Sequence, residues 1–412
     1  MRKIRKLTKN QLVQALRIAS KAYPMLQIST EQQIEELEAK LLKDFNQKGR
    51  EWYGLFEDES LLGSMLLFDF TMNYFGKDIK ARGIGFVAVE FLHKKQKVCK
   101  EMLHWYLVQS QKKQYPMAML YAFRPDFYKK MGFGFGTKCD KYITSPDRLP
   151  RIKDEYSMQY LGEADKDAVI LFYDTLYHNH HGMIRKREQD IEAMLKAQGV
   201  YHVGYKEEDK LLVLLSFRLV ANDDTNQATH MKLELLFTCS TGLKAALNFL
   251  NSQADQVGRI EFSTLYPDLF YSFNDIRNLD HKQLREPAFH HVYDTGMGTM
   301  YRSLDHMALL LQRPCSLDKM RIKFSLEDDF LKGKPTEFII EWKAGIATIS
   351  KGSKHDLHLC LGVAEYSSWL MNVIDLSTLH NYGLLECSHD NRLIELDRAF
   401  YYHQKPLCLE RF

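Results

Sequence analysis

The 412-residue chain has no apolar run near the ~18–20 residues that would span a bilayer, so a membrane-spanning helix is not expected. Its basic N-terminus, MRKIRKLTKNQ, lacks the apolar stretch of a secretory leader. The seven cysteines, at 99, 139, 239, 315, 360, 387 and 408, are scattered and never form a CxxC pair. That argues against a disulfide framework and a zinc site, and for a reducing, cytoplasmic setting. Charge is also scarce: the net value is only +3, too small for a nucleic-acid binder, so any cationic function must be local. Low-complexity sequence is missing. Glycine is missing over one long interval, from Gly85 to Gly132.

What is present is a folded composition, 45% hydrophobic and 26% charged, on a chain too long for one core. Three segments are expected: residues 1–150, 151–297 and 298–412. The first opens with a helix bearing Leu12, Leu16 and Ala19, closed by Pro24. A second helix, over 30–44, has Ser29 or Thr30 as N-cap. Strands follow at 52–56, 61–69 and 83–89, with turns at Glu57-Asp58-Glu59 and Gly76-Lys77. A helix then runs from Val98 to about Lys113, a strand covers 117–122, and a two-turn helix over 125–131 ends at Gly132. The stretch SPDRLP, 145–150, reads as a linker. In the second segment the same order recurs: helices at 165–176 and 186–197, strands at 200–205, 211–219 and 230–237, a helix at 241–252. The third carries strands at 339–342 and 346–349 and helices at 366–373 and 392–400. This is mixed α/β rather than a regular βαβ repeat.

Two constellations bear on chemistry. The apolar Val87-Ala88-Val89 runs into a turn with four lysines (94, 95, 97 and 100) and then into a helix. Such a layout can seat a phosphate on backbone amides and the helix dipole, although the same residues also suit a solvated basic turn. The second is Phe127-Tyr128-Lys129-Lys130-Met131-Gly132-Phe133. It sets a tyrosine hydroxyl near strand ends, where it can return a proton to a basic leaving group or simply pack its ring. The run His178-Asn179-His180-His181 reads as a polar helix end rather than a metal site, and the GFGFG of 132–136 as a helix C-cap entering a strand.

The two constellations lie 24 residues apart with a strand between them. Their order resembles the acyl-CoA core of the GNAT N-acetyltransferases. More closely, the whole chain resembles the enhanced intracellular survival (Eis) family, through residues 85–89, 115–117, 127–133, 300–305 and the aromatic C-terminus. That resemblance implies an α+β fold of two tandem GNAT-like α/β domains, the second degenerate, followed by a sterol-carrier-protein-2-like α+β domain. It implies acetyl-CoA as donor and a small-molecule amine as acceptor, without metal, membrane or nucleic acid, and a homo-oligomer, hexameric in the family. It also implies roles by position. The backbone of Val87, Ala88 and Val89 would line the acetyl and pantetheine arm, with the Val89 N–H polarising the carbonyl. Lys95, Gln96, Lys97, Val98, Cys99 and Lys100 would face the pyrophosphate, and Phe123 and Arg124 the cofactor's far side. Tyr128 would be the general acid and the α-carboxylate of Phe412 the general base, ionised because its ordinary pKa is about 3.5.

Three departures from the family pattern are visible. Lys97 stands where the pattern has glycine, so weaker cofactor affinity is expected. Glu90-Phe91 replaces the usual small residue and proline. Arg411 precedes the terminal residue and disfavours a polycationic amine electrostatically. The rival reading is a degenerate protein that binds acyl-CoA or lipid without transfer.

Overall fold

The structure is a computed structural model that describes residues 1–23, 30–45, 47–154, 156–221, 229–280, 290–331, 333–410 and 412. Pro24, Ser29 and Arg411, invoked above, lie outside the described residues. The chain forms two compact units. The first comprises Met1–Gly136, Thr299–Pro406 and Glu410–Phe412; the second comprises Thr137–Gly298 and Leu407–Leu409.

The first unit begins with a strand the periodicity did not reveal, β1 (Arg2–Lys6). Helix α1 (Lys9–Ala22) buries Leu12, Ala15, Leu16 and Ala19, spaced three and four apart as one helix face requires. Helix α2 (Glu31–Asp44) starts in a reciprocal capping box: Thr30 Oγ1 accepts from the Gln33 amide while the Gln33 side chain accepts from the Thr30 amide. Then come β2 (Arg50–Glu57), β3 (Ser60–Tyr74) and β4 (Lys77–Val89), an antiparallel meander. Helix α3 (Val98–Lys112) crosses to β5 (Met117–Leu120), and the short α4 (Pro125–Lys129) follows.

The sheet order is β1-β2-β3-β4-β5, completed by Met300–Ser303 antiparallel to β5. Reading along the chain put Met300–Ser303 at the head of the third segment. Pairing, not neighbourhood in sequence, places it at the edge of the first sheet. Strands β4 and β5 run parallel and pair only from Ala81↔Met117 to Ile84↔Leu120. Past that point the ladder stops and the two strands have no bonds to each other.

The same unit holds a five-stranded sheet, ordered Ile346–Ile349, Thr336–Lys343, Lys319–Glu327, Leu357–Gly362, Leu385–Cys387. Phe324, Trp342, Tyr366, Trp369 and Phe400 fill the space beneath it.

The second unit is a seven-stranded sheet, ordered Asp294–Met297, Lys138–Thr144, Val257–Thr264, Thr229–Phe237, Lys210–Val220, Tyr201–Glu207, Gln159–Tyr160. Its parallel pair, Thr229–Phe237 with Val257–Thr264, flanks the helix Ser240–Asn251 as β4 and β5 flank α3. The order of elements in the first GNAT-like domain thus recurs. The 145–150 stretch is not a linker. Pro146–Arg148 is a helical turn whose carbonyls, with that of Leu149, accept from Asn251 Nδ2 at 3.0 and 2.9 Å, and Leu149 is buried in this unit's core. Two prolines can punctuate a tight, packed turn as readily as an extended tether.

Candidate active site

The site begins with a defect in β4. Ser64 pairs with Ala88 and Leu66 with Gly85, so Phe86 and Val87 together face Met65. This β-bulge puts Phe86 in the left-handed region, φ +48, which costs about 1–2 kcal/mol for a residue with a Cβ. The bulge turns the Val87 carbonyl out of the ladder, where the Tyr23 hydroxyl donates to it at 3.0 Å. Because β4 and β5 part just here, the widened backbone of residues 85–89 faces an open split in the sheet.

Beyond the split lies the basic turn. Glu90 caps a helical turn, Phe91–His93, by accepting from the Phe91 amide. Lys95 and Lys97 both take left-handed φ, +65 and +64, and Lys97 is the N-cap of α3. The expectation drawn from the missing glycine is corrected in one respect: lysine adopts the glycine-type dihedral itself. Part of the reason is Arg2, which donates to the Gln96 carbonyl at 2.8 Å while its guanidinium also meets Glu101 and Glu57 at 2.8 and 3.2 Å. The turn is thereby stapled to β1. Lys94, Lys95, Gln96, Lys97 and Lys100 are exposed around the first turn of α3. The amides of Val98, Cys99 and Lys100 have no intrahelical acceptor, as at any helix start. The Val98 side chain itself is buried, so only its backbone can face a ligand.

Tyr128 projects from α4 and is buried, ringed by Phe123, Phe127 and Phe133 at 5.4–6.5 Å. Burial pushes its hydroxyl well above the ordinary tyrosine value, and neighbouring Cys99 and Tyr23 add to the effect. Burial likewise pushes the Cys99 thiol up to about 12 and, with Cys99, the Tyr23 hydroxyl to about 12. Three protonated groups therefore gather beside the bulge, and Cys99 is no thiolate nucleophile. Gly132, φ +79, closes α4 as the C-cap reading expected. A Cβ there would overlap Arg302, which is fully buried, donates to the Met131 carbonyl and forks onto both Asp328 oxygens at 2.8 and 2.6 Å. Arg124 is exposed and paired with Asp126 at 2.6 Å, and Phe123 is largely exposed.

Phe412 lies across the other face of β4. Its ring tilts onto Phe68 and Phe70 at 5.3 and 5.0 Å. A Cβ on Gly83 would sit 2.7 Å from that ring, and a Cβ on Gly85 only 2.6 Å from the carboxyl carbon. Two glycines at i and i+2 clear one face of the strand for it.

These features fit a coenzyme A thioester: a split sheet for an extended arm, a helix start with lysines for phosphates. A family model for the acetyltransferase (GNAT) domain matches residues 3–136, and one for a sterol carrier protein domain matches residues 307–409. The chain is a GNAT-type acetyltransferase. Solved structures agree with this GNAT-plus-sterol-carrier fold over their whole length and the whole chain. A conserved protein of Enterococcus faecalis V583, a probable N-acyltransferase, shares 18% identity at a TM-score of 0.79. A GCN5-related N-acetyltransferase of Anabaena variabilis shares 14% at 0.80, and Eis1 of Mycobacterium abscessus 16% at 0.73. Among curated proteins no sequence matches.

Sequence reasoning missed Tyr23, Arg2 and Arg302 in this acetyltransferase. Only Gly83-Ile84-Gly85 carried a readable signal, since alternate glycines in a strand mark a close approach. The histidine run lies elsewhere: His178 faces Asp174 at 3.5 Å, a carboxylate partner one turn away that the sequence reading did not see, and the His180 ring meets the Leu176 carbonyl at 3.0 Å. Among the described residues no helix is long and apolar enough to cross a membrane.

Proposed function

We propose that the chain transfers an acetyl group from acetyl-CoA to a primary amine by direct attack within a ternary complex. The observation that carries this reading is the seating of the Phe412 carboxyl on Gly85, at the start of the same bulge that Tyr23 and Tyr128 flank. Acetyl-CoA supplies an acyl group already activated as a thioester. The amides of residues 95–100 and the lysines around them hold its phosphates, the backbone of Val87, Ala88 and Val89 lines its arm, and Phe123 and Arg124 border its outer side. The Val89 N–H is the donor that offsets charge developing on the acyl oxygen. The Phe412 α-carboxylate takes the proton that the amine nitrogen loses. Tyr128, kept protonated by burial, gives its hydroxyl proton to the departing sulfur. No covalent intermediate on the enzyme is needed, in keeping with the raised thiol of Cys99.

The test is calorimetric titration with acetyl-CoA followed by an amine library scored by free-thiol release. Tyr128→Phe is expected to lower kcat by about 10²–10⁴-fold with acetyl-CoA binding retained. A variant extended beyond Phe412 should lose turnover in the same way. Undiminished turnover in either sinks the assignment of that group. Binding without thiol release for any amine would favour the degenerate acyl-CoA-binding reading. We further infer a cytoplasmic homo-oligomer from the family resemblance and the scattered cysteines; light scattering of the eluted protein checks its assembly.

A further inference from the structure

The acceptor's chemical class can be read from what surrounds Phe412, on the basis of the transfer reading above. Phe68 and Phe70 stand on the same face of β3, their rings within 4° of parallel at 5.7 Å, and both meet the Phe412 ring. Asp69 between them points to the opposite face, beside its cross-strand partner Arg82 at 3.5 Å. Aromatic rings continue past the bulge: Phe86 meets Trp52 at 5.5 Å and Tyr23 at 6.2 Å, Tyr23 meets Phe123 at 6.4 Å, and Phe123 meets Tyr128 at 6.5 Å. Rings therefore border the path from the group assigned as base to the group assigned as acid.

Charge is distributed in the opposite sense. Glu51 faces Lys6, Arg82 and Lys113; Glu57 faces Arg2; Glu90 faces Lys21. These carboxylates are occupied by the protein's own cations. What remains at the ring cluster is one carboxylate, that of Phe412, and one nearby guanidinium, Arg50, 5.9 Å over the Phe68 ring. A single ammonium finds a counter-ion there, and its substituent finds ring faces. A second ammonium on the same molecule would meet Arg50 instead.

We infer that the acceptor is a monoamine carrying one aromatic or bulky apolar group, and not a polyamine or an aminosugar. Phe68 and Phe70 are the specificity-determining residues, and Arg50 the element that rejects further positive charge. An apolar pocket discriminates by about 10–200-fold for even a methylene-sized difference, so a whole ring should be worth at least the lower figure.

The experiment uses the full chain, acetyl-CoA and four probes: 2-phenylethylamine, n-butylamine, spermidine and kanamycin. Thiol release should give 2-phenylethylamine a kcat/KM at least about tenfold above each of the others. Phe70→Ala should erase most of that margin through KM for the ring-bearing amine, with the calorimetric affinity for acetyl-CoA holding as proof of fold. Phe70→Leu, which keeps apolar volume, should fall between. Arg50→Gln should narrow the gap between spermidine and n-butylamine. Spermidine or kanamycin turning over as well as 2-phenylethylamine would overturn the acceptor class and leave acetyl transfer standing. Release with no amine at all, despite acetyl-CoA binding, would take down the transfer reading and this inference with it.

Discussion

Removing Asp328 tests how the turn carrying Tyr128 is held. Arg302 is 0% exposed and its Nη2 meets both Asp328 oxygens, at 2.8 and 2.6 Å, while Nη1 donates to the Met131 carbonyl. Asp328→Ala leaves a guanidinium in the interior with a carbonyl but no counter-charge. Taking one partner from a buried pair costs about 3–5 kcal/mol, because the survivor cannot recover its hydration. At about 2–4 °C per kcal/mol for a body of this size, Tm should fall by roughly 6–20 °C. Calorimetric melting at neutral pH measures it. An internal control is Asp126→Ala, which breaks an ion pair whose side chains are more than half exposed and should change stability by less than about 1 kcal/mol. A double variant, Arg302→Met with Asp328→Leu, removes both charges and should recover most of the loss. If Asp328→Ala melts within a degree of the parent, the buried pair is not what secures this turn, and the argument fails.

Other outcomes follow from the same geometry. Gly85→Ala places a methyl 2.6 Å from the Phe412 carboxyl carbon, so the terminal residue must move; kcat/KM for any amine should drop at least about tenfold, with acetyl-CoA binding intact by calorimetry. Lys97→Gly relieves a left-handed lysine and should raise stability by about 1 kcal/mol in denaturant titration, yet weaken acetyl-CoA severalfold, because the dihedral is already met and only charge is lost. Tighter binding would show that the glycine was worth more than the charge. Glu51 resists burial because Lys6, Lys113 and Arg82 hold its carboxyl at about 2. Its stabilising contribution is complete above the ordinary carboxylate pKa near 4.5 and disappears as pH falls toward 2. Melting temperature against pH should therefore lose part of its acid limb in Glu51→Gln.

The strand, basic turn and helix at 87–103 were legible because the hydrophobic period switches from two to 3.6 within a few residues. The caps of α1 and α2, and the two-turn helix ending at Gly132, were legible for similarly local reasons. What escaped is long-range. Arg2 reaches Gln96, Tyr23 reaches Val87, and Arg302 reaches Met131, and no local pattern encodes these meetings. Lys138–Thr144 reads as a continuation of the first domain, yet its ladder partner is Val257–Thr264. The left-handed lysines were hidden for another reason. Glycine is only the residue that meets such dihedrals without strain, and a well-anchored turn can impose them on other side chains.

The strand Met300–Ser303 has a consequence for the making of the protein. The edge of β5 stays open on the nascent chain until 180 further residues, from Leu120 to Met300, have left the ribosome. At about 5–20 residues per second that is roughly 10–35 s, during which the acetyltransferase sheet offers four unpaired residues of buried sequence, Met-Ala-Met-Leu, to any passing strand. An N-terminal fragment ending at Gly136 would keep that edge for good, and it should aggregate where the whole chain does not.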